Sequence, residues 1–291
     1  MRYNSELAET IAHLCKTDGL MESPIPGLKL FRSEISVPRA PAMYAPAICV
    51  VAQGYKQLYF GEYSRRYDPD NYLINSVPMP FEVEVRDASP ESPYLGFAIE
   101  IDSYLISQLL IDMEHPNSPP EKTGEIIVST KVTEDLQRCF LRLLRCIDNE
   151  MDMKVLAPAL KREIFYEVLK GPHGDVLRNC VANHSGANRI APVVHYIEEN
   201  FHTPLDVDMI ASYAGMSPST LHDHFKQVTS MSPMQFVKSL RLHKAHSLLL
   251  SGNQASEASY QVGYNSPSQF SREFKRFFGE SPRVIQAAAT G

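Results

Sequence analysis

Two sets of polar side chains recur in this chain at a fixed offset. Ser219, His222, Asp223 and Lys226 lie in SPSTLHDHFK, and Ser268, Ser271, Arg272, Lys275 and Arg276 lie in SPSQFSREFKR, which begins 49 residues later. Short hydroxyls followed by a carboxylate, a guanidinium or an ammonium form a donor and acceptor set suited to base edges and phosphates of a duplex. Arg272 is the strongest base reader, because a guanidinium meets guanine O6 and N7 with two parallel hydrogen bonds. Asp223 suits a cytosine amine, and Lys226, Lys275 and Arg276 suit phosphates.

Such side chains need a stiff element to aim them. Ser217 and Ser266 are good N-caps, each followed by a proline at the first helical position, where the missing N–H costs nothing. At 100° per residue, Leu221, Phe225 and Val228 gather on one side of the first helix. Ser219, Asp223 and Lys226 face the opposite way with His222 beside them. In the second copy Phe270, Phe274 and Phe277 take the buried side, and Ser268, Arg272 and Lys275 face outward beside Ser271. Each copy follows a short apolar segment and a glycine turn, 214–216 and 262–264, which is the layout of a helix-turn-helix. The competing reading, solvated faces of two ordinary amphipathic helices, leaves the matched caps, turns and outward residues to chance.

The repeat stays in register, since Ser232-Pro233 returns as Ser281-Pro282. Between the copies SPMQFVKSLRLHKAHSLLLS reads as one helix of about 18 residues, ~27 Å long. That is near the ~34 Å of one duplex turn, so the helix is able to hold two recognition helices in successive major-groove segments. Arg241 on it is a weaker candidate for the DNA backbone, and Lys244 reads as solvated.

The formal net charge of −6 is unusual for a DNA binder, but it is unevenly placed. Residues 1–189 carry the whole excess of acid, and from residue 215 onward there are 8 basic against 4 acidic side chains. That footprint predicts modest non-specific affinity. At 291 residues, 44% hydrophobic and 21% charged, the chain has room for two domains with cores of their own. With neither a long apolar run nor a signal-peptide layout, it is expected to be cytoplasmic, with no membrane partner. Five scattered cysteines, without a CxxC pair, read as reduced, mostly buried thiols.

Upstream, LKLFRSEISV, AICVVAQ, YKQLYF, NYLINSV, FEVEVR and YLGFAIEI read as short strands, and many short strands suggest a small barrel or sandwich. A helix capped by Asp102 follows, then the loop HPNSPPEKTG. Two amphipathic helices come next. The first starts near Thr133, with Leu136, Phe140, Leu143, Leu144 and Ile147 on one face; the second carries Leu160, Ile164, Val168 and Leu169 and ends at Gly171. Their apolar faces pack either on the barrel and each other or against a second copy of the chain. The polar, glycine-containing stretch that follows reads as a linker.

The segments GMSPSTLHDHFKQVTSMSPMQFVKSLRLHKAHSLLL and VGYNSPSQFSREFKRFFGESP resemble the DNA-binding domain of AraC/XylS transcriptional regulators over roughly residues 190–285. The resemblance includes the closing turn at Gly279, Ser281 and Pro282. PAICVVAQGYKQLYFGE, YLINSVPMPFEVEV and SPYLGFAIEID resemble the N-terminal domain of one subgroup, which implies a cupin-like barrel. The resemblance implies Ser219, His222 and Asp223 in the groove from the first recognition helix, and Ser268, Ser271 and Arg272 from the second. One departure is Ala255-Ser256-Glu257-Ala258-Ser259-Tyr260, where the family has a more aliphatic helix; looser packing of the second unit is expected there.

The expected fold is therefore α+β in two domains: a cupin-like β-barrel with flanking helices over 1–175, a linker over 176–189, and an all-α domain with two helix-turn-helix units over 190–291. A metal-dependent cupin enzyme would need clustered histidines, yet residues 1–130 hold His13 and His115 alone, neither in a strand. No metal or other cofactor is expected. Neither GxSxG nor a glycine-rich phosphate loop occurs, and Cys49 in an apolar run reads as core. Tyr44, Tyr55, Tyr59, Tyr72 and Tyr94 are available to line an aromatic pocket, though none is assigned to a site. The reading is a DNA-binding transcriptional regulator and not an enzyme, with double-stranded DNA and the transcription machinery as partners. Its N-terminal domain senses a small-molecule effector or forms a homodimer. The rivals are a non-metal barrel enzyme with an appended DNA-binding module and a constitutive DNA binder without an effector.

Overall fold

The computed structural model describes residues 2–60, 63–113, 125–181 and 190–290. Helix α1 (Arg2–Leu14) leads into nine strands: β1 (Gly19–Glu22), β2 (Leu28–Ser33), β3 (Val37–Tyr44), β4 (Ala47–Gln53), β5 (Tyr55–Phe60), β6 (Tyr63–Tyr67), β7 (Asn71–Asn75), β8 (Met79–Arg86) and β9 (Tyr94–Glu100). After α2 (Ser103–Asp112) and β10 (Ile127–Lys131) come α3 (Glu134–Arg145), a single 3₁₀ turn, α4 (Glu150–Val155), α5 (Ala157–Lys170) and α6 (Gly174–Val181). Asp102 caps α2 by accepting from the Leu105 N–H, and Thr133 caps α3 by accepting from the Leu136 N–H.

The strands form two antiparallel sheets, ordered β1-β2-β9-β4-β7-β10 and β3-β8-β5-β6. A strand covered on both faces has no polar side to alternate with, so β4 and β9 read as the unbroken apolar runs AICVVA and YLGFAI. Their outward residues Ile48, Val50, Phe97 and Ile99 share a core with α1, α3 and α5. Their inward residues Cys49, Val51, Tyr94 and Ala98 face Leu58, Tyr67, Phe81 and Val83 of the smaller sheet. In β8, by contrast, buried Phe81, Val83 and Val85 alternate with Glu82, Glu84 and Arg86. The expected barrel is open: among the described residues no strand pairing joins the two sheets into a ring.

Leu136, Phe140, Leu143 and Leu144 of α3, with Leu160, Ile164, Val168 and Leu169 of α5, are buried inside this chain, which answers which neighbour covers those faces. The linker expectation needs correction at its start. Residues 174–181 are helical, with Val176 and Leu177 fully buried in the same core, so the segment is held by packing despite its polar flanks. The remainder of that stretch, 182–189, and the loop at 115–124 lie outside the described residues.

The last part is helical throughout: α7 (Ile190–Asn200), α8 (Val207–Ala214), α9 (Pro218–Thr229), α10 (Pro233–Leu250), α11 (Ala255–Gln261), α12 (Pro267–Phe278) and α13 (Pro282–Thr290). Helix α10 starts with a capping box, Ser232 accepting from the Gln235 N–H while the Gln235 side chain accepts from the Ser232 N–H. It is a spine with two cores. Phe236, Val237 and Leu240 pack with α7, α8 and α9, whereas Leu242, Ala245 and Leu249 pack with α11 and α12. The first of these cores runs on into the inner layer of the sheets, where β3 and β8 lie against α10. No helix among the described residues is long and apolar enough to cross a membrane.

Candidate nucleic-acid interface

The two repeated segments fold alike. Helices α9 and α12 have 12 residues each, and their ends are offset by the same 49 positions as the sequence. Ser217 accepts from the Thr220 N–H and its hydroxyl lies 3.1 Å from that of Ser219; Ser266 accepts from the Gln269 N–H and lies 3.0 Å from Ser268. The serines at the candidate groove face are thus also part of each cap. Leu221 and Phe225 in one copy, and Phe270 and Phe274 in the other, are fully buried, while Val228 and Phe277 are half-buried.

Both preceding turns need a left-handed residue, Gly215 at φ 61° and Gly263 at φ 87°. Gly263 has a second reason to be glycine, because a Cβ there would meet the carbonyl oxygen of His202 at 2.7 Å. The small residues of α11 place Ala258 and Ser259 fully inside the core, with the Ser259 hydroxyl donating to the Ser256 carbonyl. Rings supply the bulk that this helix lacks: Tyr264, Phe270, Phe274 and Phe278 follow one another in edge-on and tilted contact at centroid distances of 4.6–5.4 Å.

All the outward residues read from the pattern are exposed: Ser219, His222, Asp223 and Lys226 on α9, and Ser268, Ser271, Arg272, Lys275 and Arg276 on α12. His222 Nδ1 lies 3.7 Å from Asp223 Oδ1. No ion pair or hydrogen bond among the described residues engages the side chains of Lys226, Arg272, Lys275 or Arg276. The cations of α10 differ. Lys238 pairs with Glu273 at 2.9 Å, and Lys244 is 4.0 Å from Glu198.

Arg241 is a correction. Its Nε donates to the Phe201 carbonyl at 2.7 Å and its Nη2 to the Thr203 carbonyl at 2.8 Å, and burial lowers its pKa from the usual value. The guanidinium joins α10 to the end of α7 and is not free for a phosphate. Pattern reading also passed over Arg283, exposed in the first turn of α13. Its signal is the Ser281-Pro282 copy of the Ser232-Pro233 helix start.

Two helix-turn-helix units on one spine, preceded by a two-sheet domain, define a class of transcriptional regulators. A family model described as "AraC-type transcriptional regulator N-terminus" matches residues 24–176, and a helix-turn-helix domain model matches 210–288. The chain belongs to the AraC-type family of transcriptional regulators. It is 27% identical over 175 residues, 60% of its length, to the HTH-type transcriptional activator RhaS of Escherichia coli O1:K1 / APEC, and the match spans 62% of the length of RhaS. Two crystal structures of ToxT from Vibrio cholerae share the layout. One, the P21 form, has TM-score 0.60 and 13% identity over 91% of this chain and 98% of that one; the other, from strain O395, has TM-score 0.58 and 12% identity over the same shares. At such identities the likeness concerns the fold alone.

Proposed function

We propose that the chain is a one-component transcriptional regulator, acting in the cytoplasm by recognition and not by catalysis. Helices α9 and α12 enter successive major-groove segments of one duplex. Ser219, His222 and Asp223 in the first unit, and Ser268, Ser271 and Arg272 in the second, face base edges, while Lys226, Lys275 and Arg276 grip phosphates. The two-sheet domain receives a small-molecule effector; a second copy of the chain and the transcription machinery are its protein partners.

The observation that carries this reading is where the unengaged cations sit. Lys238, Arg241 and Lys244 are tied up by internal partners, whereas the charges on the outward faces of the two equivalent helices are free. The faces are unequal: Arg272 stands 49 residues after Asp223, so α12 is the more basic and α9 contributes more to discrimination.

Selection of bound duplexes from a random pool, with the full chain, tests the assignment. Arg272→Ala is expected to relax preference at one base pair and to cost about 1–3 kcal/mol on the selected site, roughly 5- to 150-fold in affinity. Lys275→Ala is expected to weaken all sequences alike and to reduce the salt slope by about one. An unchanged base preference in Arg272→Ala would sink the readout assignment. Absence of any preferred duplex for the unmodified chain would sink the reading as a whole.

A further inference from the structure

We propose that Glu273 is a positioning residue: its carboxylate clasps helix α12 to the spine α10 and thereby fixes the distance and phase between the two DNA-reading helices. The inference rests on the DNA-binding reading above and gives control of half-site spacing to a side chain that meets no base.

Glu273 lies on α12 between the outward Arg272 and the fully buried Phe274. Three donors converge on its carboxylate. The Lys238 Nζ of α10 reaches Oε2 at 2.9 Å, and the Tyr264 hydroxyl of the preceding turn donates to the same oxygen at 3.1 Å. The Gln269 amide, one turn earlier on α12, donates to Oε1 at 3.3 Å. The Glu273 side chain is 21% exposed, which separates this cluster from the solvated surface pairs that contribute little. Burial by itself raises a carboxyl pKa, but the hydrogen bonds from Lys238, Gln269 and Tyr264 outweigh it and hold Glu273 below its usual value. The carboxylate is therefore ionised at neutral pH, as a clasp on an ammonium requires.

The contacts continue into the first unit. Tyr264 follows Gly263, which lies so close to the chain after α7 that a Cβ there would meet the His202 carbonyl oxygen at 2.7 Å. On either side of His202, the carbonyls of Phe201 and Thr203 accept from Arg241, one turn along α10 from Lys238. Two cations on one face of the spine thus hold two neighbours, Arg241 the end of α7 and Lys238 the helix α12.

Apolar contact has no preferred direction, whereas a carboxylate gripped by three donors fixes both the roll of a helix and its place along its neighbour. Helix α9 has no such device. The residue 49 positions before Glu273 is the exposed His224, and among the described residues no side-chain hydrogen bond or ion pair joins α9 to α10. Packing holds it, as between Phe225 and Phe236 at 5.5 Å. The second turn is also longer, since Gly215 precedes its capping serine by two positions and Gly263 by three. A longer connection constrains the following helix less through the chain alone. A reading side chain must hold its direction within about 10–20°, and Arg272 is the immediate neighbour of the clasped residue.

Duplexes with the selected half-sites at the preferred spacing, and with one base pair inserted or removed between them, test the proposal on the full chain. The parent is expected to bind the altered duplexes at least about tenfold more weakly. In Glu273→Ala and in Lys238→Met the ratio between preferred and altered spacing should fall at least about fivefold, with base preference inside each half-site retained. A merely structural role would weaken every spacing by one factor and leave that ratio alone. Combined, the two substitutions should relax the ratio no further than the larger single effect, because they open the same clasp. An unchanged ratio in the folded variants, full addition of the two effects, or a parent indifferent to spacing overturns the proposal. Should Glu273→Ala fail to fold, Lys238→Met decides, since it leaves the Tyr264 and Gln269 contacts in place. A parent with no preferred duplex at any spacing removes the DNA-binding reading itself, which keeps the two failures apart.

Discussion

Phe274→Ala is expected to cost about 3–5 kcal/mol and to loosen the second helix-turn-helix unit while leaving the first in place. Phe274 is fully buried, 5.4 Å from the Phe270 ring and 4.6 Å from that of Phe278, with His246 stacked at 6.1 Å. A cavity there has little to fill it, because the facing helix α11 offers Ala258 and Ser259, neither with atoms to spare. The first unit keeps its own core of Leu221, Phe225 and Phe236. Urea unfolding gives the free energy, and amide exchange gives the location: protection should fall in α11, α12 and α13 and persist in α8 and α9. A loss below about 1 kcal/mol, or uniform loss of protection, would show that rings do not carry this core.

The second large effect is a dependence on pH centred on His243. This residue of α10 is buried, with its Nε2 lacking a hydrogen-bond partner and its ring edge-on to Phe277 at 5.3 Å and Phe278 at 5.4 Å. Burial, and after it the neighbouring His246, lowers its pKa to about 4. An unfolded chain takes up the proton near pH 6.5, and the folded one resists until about pH 4, so the unfolded state binds more protons between those values. Stability is therefore present in full above about pH 6.5, falls as pH drops, and levels off below about pH 4, a total of about 3 kcal/mol. Burial lowers His246 as well, and its contribution runs in the same direction. Melting temperatures from pH 4 to 7.5 should fall more steeply for the parent than for His243→Leu. Parallel curves would remove His243 as the cause.

Helices α9 and α12 were legible in the sequence because local chemistry determines them. Ser-Pro starts, glycine turns and 3.6-residue periodicity act over a few positions, and the 49-residue copy repeats each signal. What depended on distant chain was hidden. Arg241 reads as a surface cation on a helix until its partners at positions 201 and 203 are known, 40 and 38 residues away. Helix α6 was passed over because Gly171, His173 and Gly174 punctuate the segment, although Val176, Leu177 and Cys180 carry a helical spacing. Of the five tyrosines offered as pocket lining, Tyr44 and Tyr94 do face inward. Tyr55 and Tyr59 face outward, donating to Asp87 and Glu84, and Tyr72 sits on the helix side of the larger sheet.

Helix α10 has a consequence for the proposed DNA binding. Because Phe236, Val237 and Leu240 anchor it in one core and Leu242, Ala245 and Leu249 in the other, its 18 residues leave no joint at which the two units could turn independently. If both units enter the groove as proposed, half-site spacing is set by a rod of fixed length and twist. A target whose half-sites stand one base pair too close or too far is misphased by about 34°, and the mismatch must be absorbed by winding or unwinding the duplex. On the proposed reading, the stiffness of the base steps between the half-sites, which no side chain needs to touch, would thereby become part of what this protein recognises.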